Sequence, residues 1–193
     1  MSDLSHAELL ERFQRAQAQF TDRVDAAEPG QWDVVVLPGW TVADLVAHLA
    51  GEQLAVPHLL AGGARDPRER TSTDELLGDD PLTAWETAAD TALTAWAGEH
   101  ALERSVELPG GPVPAGHHLR SMTAALTLHA WDLASAVGGD TRLDRELVDD
   151  ALAFAEEHRD DDPRGPGPGI ATRAVPAGAD PLTRLSARSG RPV

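Results

Sequence analysis

At 193 residues, 41% of them hydrophobic, the chain is long enough for one compact domain with its own core and short for two. Acidic side chains outnumber basic ones 32 to 16, a formal net charge of -16. That excludes nucleic acid and anionic membranes as partners, because no basic surface is left to neutralise phosphates.

Five segments carry helical periodicity. The first runs from about Ser5 to Ala27, with Leu10, Phe13, Phe20 and Val24 on one face, and Glu28-Pro29-Gly30 ends it. The valine run from Trp32 to Leu37 closes in Pro38-Gly39 and reads as a structured loop. Thr41 is a good N-cap for a second helix reaching about Leu60, with Asp44 placed to bond back and Val42, Leu45, Val46 and Leu49 inward. Ala61 to Asp80 is rich in Gly, Asp and Arg and reads as a long surface loop. Asp80-Pro81 opens a third helix whose stripe is Leu82, Trp85, Ala89, Leu93 and Trp96. Glu103 to Pro114 reads as a hairpin-like excursion. A fourth helix spans about Ala115 to Val137, lined by Leu119, Met122, Leu126 and Leu133 and stopped by Gly138-Gly139. A fifth covers about Asp144 to His158. The expected division is a helical bundle over 1–160 and a Pro/Gly-rich strap over 161–193, in which Ala179 to Leu185 reads as one short helical turn that could dock on the bundle. The fold class is therefore all-α.

No apolar run approaches the ~20 residues that cross a bilayer. Met1 to His6 has no basic stretch followed by an apolar core, so no signal peptide is read there and a cytoplasmic location is expected. Cysteine is absent, which excludes disulfides, thiolate metal sites and a cysteine nucleophile; any metal falls to His, Asp or Glu.

Polar residues on inner faces carry the functional signal. On the second helix Glu52 falls in the middle of the stripe of Leu45, Leu49 and Val56, with His48 at its edge one turn earlier. On the fourth, His129 falls in the centre of the stripe of Met122, Leu126 and Leu133, with Asp132 at its edge. Carboxylates among apolar residues are excluded unless paired or at a site, and helix bundles build metal and cofactor sites from such inward groups. A structural His–carboxylate network would give the same pattern. His118 is three turns before His129, about 16 Å along the axis, so the two cannot share an ion. His6, His58, His100 and His158 show no partner pattern, and the five tryptophans read as core or site-lining.

Pro38-Gly39-Trp40-Thr41-Val42-Ala43-Asp44-Leu45-Val46-Ala47-His48-Leu49 closely resembles the PGWTVxDLxxHL segment of the mycothiol-dependent maleylpyruvate isomerase family, part of the DinB-like superfamily. His129-Ala130-Trp131-Asp132-Leu133-Ala134 resembles its second signature, HxWDLA. The ending, Asp180 to Leu185 through Ser189-Gly190-Arg191-Pro192, resembles the closing stretch of a subgroup described only as metal-binding.

The resemblance implies a DinB-like up-down-down-up four-helix bundle, with an additional C-terminal helix and an extended tail. It implies a divalent metal, zinc or nickel, held near one end by a histidine on the second helix and two groups one turn apart on the fourth. His48 matches the first ligand and His129 the last; the position of the third is Ala125, which has no donor. Glu52 or Asp132 could supply a third ligand or a catalytic base, and Asp132 could instead orient His129. The resemblance further implies mycothiol, a small-molecule substrate and compatibility with a homodimer; the composition agrees with an actinobacterial source, where mycothiol occurs. Three functions follow: a metal-dependent, thiol-assisted isomerase or transferase; a metal-free relative using histidine acid/base chemistry for isomerisation, cyclisation or elimination; and a non-catalytic binding or stress-response module.

Overall fold

A computed structural model describes residues 4–64, 71–158, 175 and 178–191. The helix ends are set by local chemistry. Helix α1 (His6–Asp25) begins at Ser5, whose hydroxyl accepts from the Glu8 amide while Glu8 returns a carboxylate to the Ser5 amide. The same reciprocal box, Thr41 with Asp44, starts α2 (Val42–Leu60), and Ser72 with Glu75 starts the short α3 (Thr73–Leu77). Asp80 caps α4 (Pro81–Trp96), with Pro81 in the first turn where no amide is missed. Helix α5 (Ala115–Val137) stops at Gly138, whose φ of 73° is left-handed. Asp144 caps α6 (Arg145–Glu157) and Asp180 caps α7 (Pro181–Arg188).

Four of these helices make the bundle. The start of α1 meets the end of α4, where His6 Nε2 lies 3.1 Å from the Trp96 carbonyl oxygen. The end of α1 meets the start of α4, where the Trp85 indole N–H donates to Thr21 at 2.8 Å. These two helices are antiparallel. Arg23, near the end of α1, donates to the Arg142 carbonyl just past α5 at 2.9 Å, so α1 and α5 run the same way. Arg104, just past α4, donates to the Leu60 carbonyl at the end of α2, so α2 and α4 run together. The order is up-down-down-up, with α4 and α5 beside α1 and α2 closing the ring between them.

The core is Phe13, Phe20, Trp85, Trp96, Leu45, Leu119, Leu126 and Leu133, all fully buried. Phe20 and Trp85 pack edge to face at 4.7 Å between ring centres. One polar link crosses the interior: the Gln17 amide donates to Gln53 and to the Ala89 carbonyl at 3.0 and 2.9 Å, joining α1, α2 and α4. Helix α6 lies along α5 and is tied to α1 by Arg12 with Glu146 and Asp150, and by Arg15 with Asp144 and Glu146. Helix α7 docks on α6 by burying Leu185 against Leu128, Val148, Ala151 and Leu152.

The segment read as a loop before α2 is a hairpin. Strand β1 (Val35–Leu37) pairs antiparallel with β2 (Trp40–Thr41), in the register Val35↔Thr41 and Leu37↔Trp40. Within the stretch from Ala61 to Asp80, α3 adds helix where a continuous loop was expected. The expected excursion after α4 is a second hairpin, β3 (Ser105–Leu108) with β4 (Gly111–Pro114). The terminal helical turn extends to eight residues in α7. Asp160 to Gly169, expected as a strap, lie outside the described residues.

Candidate functional site

The first signature is a device for presenting His48. Gly39 turns the β1–β2 hairpin at φ 81°, a conformation that favours glycine. Thr41 leaves the hairpin and caps α2. Asp44 accepts from the Thr41 amide at 3.0 Å and its hydroxyl at 2.8 Å, and Thr73 of α3 donates to its other oxygen at 3.0 Å. The Thr41 amide, then its hydroxyl, hold the Asp44 carboxyl below the usual carboxylate range. Trp40 meets the His48 ring edge-on, with ring centres 4.9 Å apart. His48 is exposed and Glu52, one turn further, is half-buried; the buried polar side chain there is Gln53. The inward stripe of α2 is thus rotated from the expected centre toward Gln53, which accepts from Gln17 of α1.

The second signature also differs from its helical-wheel reading. The His129 side chain is 17% exposed, whereas that of Asp132 is 2% exposed. Asp132, expected at the edge, is the buried member, because the chain after α7 lies over it. Its Oδ2 stands 2.9 Å from His129 Nδ1. Arg191 donates from Nε to Oδ1 at 3.0 Å and from Nη2 to Oδ2 at 2.6 Å. Burial pushes the Asp132 carboxyl up. Hydrogen bonds from His129 and Arg191, with their charges, more than offset this and hold it below its ordinary value. Asp132 is therefore a carboxylate that only accepts, so the His129 Nδ1–H donates to it. In the neutral ring the lone pair of His129 is then on Nε2, at the opposite edge.

Bundle direction brings the two histidines to one level. Helix α2 starts, and α5 ends, at the end of the bundle that carries the β1–β2 hairpin, against which both helices pack. His48 lies six residues past Val42 and His129 eight residues before Val137, about 9 and 12 Å from that end at 1.5 Å per residue. Glu52 and Ala125 each stand one turn deeper and so match one another. The other histidines lie elsewhere. His118 is buried beside Trp96 near the start of α5, with ring centres 6.0 Å apart. His117 and His158 meet at 4.5 Å between ring centres, against Phe154. A small cleft is lined by Arg12, Arg120, Asp150 and Phe154, between α1, α5 and α6.

The implied divalent ion does not fit the donor set. Zinc sites in proteins take at least three protein ligands, and Ala125 offers a methyl group. Among the described residues no group of three or more His, Asp or Glu could hold one ion. Asp132 is already engaged on both oxygens by Arg191 and His129.

Arg191 is the site residue that inspection of the inner faces missed. Its signal was a buried carboxylate needing a cation, and an arginine inside the closing stretch Ser189-Gly190-Arg191-Pro192.

A model of the mycothiol maleylpyruvate isomerase N-terminal domain matches residues 13–134. Two uncharacterized proteins of Mycobacterium tuberculosis, from strains CDC 1551 and H37Rv, are each 32% identical over 155 residues, covering 80% of this chain and 81% of their own. The crystal structure of the mycothiol-dependent maleylpyruvate isomerase aligns with a TM-score of 0.63 at 19% identity, over 79% of this chain and 71% of that one. A histidine-to-alanine variant of that enzyme aligns at 0.61. The fold is thus the DinB-like one of that isomerase, and among the described residues no helix is long and apolar enough to cross a membrane. The match over residues 13–134, which takes in both signatures, places the chain in the mycothiol maleylpyruvate isomerase N-terminal domain family.

Proposed function

We propose that the chain is a small-molecule enzyme that carries out a thiol-assisted isomerisation or transfer, with mycothiol as the thiol and His129 as general base and acid. The observation that carries this reading is the His129–Asp132 contact at 2.9 Å, which leaves Nε2 as the ring's proton acceptor. Nε2 takes the thiol proton, and the thiolate adds to an electron-poor double bond of the substrate. For an isomerisation, rotation about the resulting single bond and expulsion of the thiolate complete the cycle, with the thiol regenerated. For a transfer, the carbon–sulfur bond persists and His129 returns the proton to the substrate. His48, level with His129, is suited to hold the substrate's anionic end or the thiol.

The test uses untagged protein with mycothiol and two electrophiles, maleylpyruvate for isomerisation and an α,β-unsaturated ketone for transfer by addition, each read against the uncatalysed thiol reaction. Thiol-dependent turnover of at least one is expected. Absence of turnover with both, together with no calorimetric binding of mycothiol, overturns the reading.

No step in this reading runs through a metal. Equilibrium dialysis of zinc and nickel against untagged protein is expected to give weak, substoichiometric binding. The Ala125→Glu variant restores a donor one turn before His129, and its affinity should rise at least about 10-fold, the scale on which even outer partners of a ligand act. Tight one-to-one binding by the unmodified chain that is lost in Glu52→Gln would instead make Glu52 the third ligand and favour the metal-assisted version.

A further inference from the structure

The chain after α7 does more than cover the bundle. Helix α7 ends in a Schellman turn: the Gly190 amide donates to the Ala187 carbonyl at 3.1 Å and the Arg191 amide to the Ser186 carbonyl at 2.9 Å, with Gly190 at φ 75°. This turn reverses the chain and sends Arg191 back toward α5. The base of the turn is fixed on α6 by buried Leu185, by Arg188 Nε donating to the Ala155 carbonyl at 2.9 Å, and by the Arg184–Glu156 ion pair. Arg191 also donates from Nη1 to the Ser189 carbonyl at 3.0 Å, so its guanidinium is held from behind while its fork grips Asp132.

We propose that Arg191 is a positioning residue for His129, acting through Asp132. A carboxylate rotates about a broad, two-fold torsion. With Nε on Oδ1 and Nη2 on Oδ2, the planar guanidinium fixes that rotation as a single donor could not. The fixed oxygen, Oδ2, is the one that accepts from His129 Nδ1–H. The fork therefore selects both the plane of the imidazole and its tautomer, and keeps Nε2 as the unprotonated nitrogen. The Arg191 side chain is 11% exposed and that of Asp132 is 2% exposed, so water does not compete freely for either. The meaning of this for catalysis rests on the function proposed above, but the geometry does not.

Nitrogen NMR of the His129 ring at about pH 8, above the ordinary histidine range, reads the tautomer directly and needs no substrate. The unmodified protein should show one neutral tautomer, with the proton on Nδ1. Arg191→Met should lose that single-tautomer signature. Arg191→Lys keeps the charge and, with it, the fold; it should also lose the signature, because one ammonium does not fix the carboxylate plane. Far-UV circular dichroism establishes that each variant is folded. A folded Arg191→Met or Arg191→Lys protein that keeps the Nδ1–H signature overturns the proposal, as does an Nε2–H tautomer in the unmodified chain. Failure of the thiol reaction alone leaves this result unchanged, so the two ideas fall separately.

Discussion

Replacing Asp132 by alanine should lower the unfolding free energy by about 3–5 kcal/mol, the cost of leaving one partner of a buried ion pair uncompensated. The stranded partner is Arg191, whose side chain is 11% exposed and would face the bundle with no carboxylate. Denaturant midpoints at constant slope read the loss. The double variant Asp132→Leu with Arg191→Met should recover much of it, because it removes the unpaired charge together with the pair. A loss in the double variant equal to the sum of the losses in Asp132→Leu alone and Arg191→Met alone would mean that the residues do not interact. The pH dependence has a definite sign. The carboxyl of Asp132 sits below its unfolded value of 3.8 in the folded protein. The native state therefore binds fewer protons there, and the contribution is fully present above that unfolded value. It is lost as pH falls through the folded value. The gap between the unmodified chain and Asp132→Ala should be constant above about pH 5 and narrow as the pH drops further.

Replacing His129 by alanine should reduce kcat of the thiol-dependent reaction by about 100- to 10,000-fold, the range of general acid–base catalysis. The ring is 17% exposed and is not part of the fully buried core, so the fold should survive its loss. KM should change much less than kcat, since the proton transfer is the step removed. Asp132→Asn is the informative companion. An amide in place of the carboxylate can donate to Nδ1 and so turns the lone pair inward and the proton out to Nε2. Its kcat should fall by about 100-fold or more while the protein stays folded, as for other histidine bases held in the wrong tautomer. Unchanged kcat in both variants would assign the proton transfer to another group.

Much of the fold is written locally. Thr41 with Asp44, Asp80 with Pro81, Gly138 and Asp144 mark the ends of α2, α4, α5 and α6, because capping is chemistry between residues two or three positions apart. The β1–β2 hairpin escaped because its strands are three and two residues long, too short for alternation to show. Helix α3 spans five residues, less than two turns, and carries no stripe. The histidines were legible as a pair, but their surroundings were not. A helical wheel places residues around one axis and cannot say which neighbours cover which arc. So Glu52 was set too deep, and Asp132 too shallow. The Arg191–Asp132 pair joins residues 59 positions apart, and no periodicity reports a contact of that separation.

That separation also sets an order of events in synthesis. At about 5–20 residues per second, the 59 residues from Leu133 through Arg191 take roughly 3–12 s to translate. During that interval the four bundle helices are available to pack, while Asp132 still lacks its cation. A nascent bundle would leave that carboxylate to water, with the imidazole of His129 free to turn. The His129–Asp132–Arg191 geometry then forms after the bundle, when a short helix and the turn that follows it dock from outside.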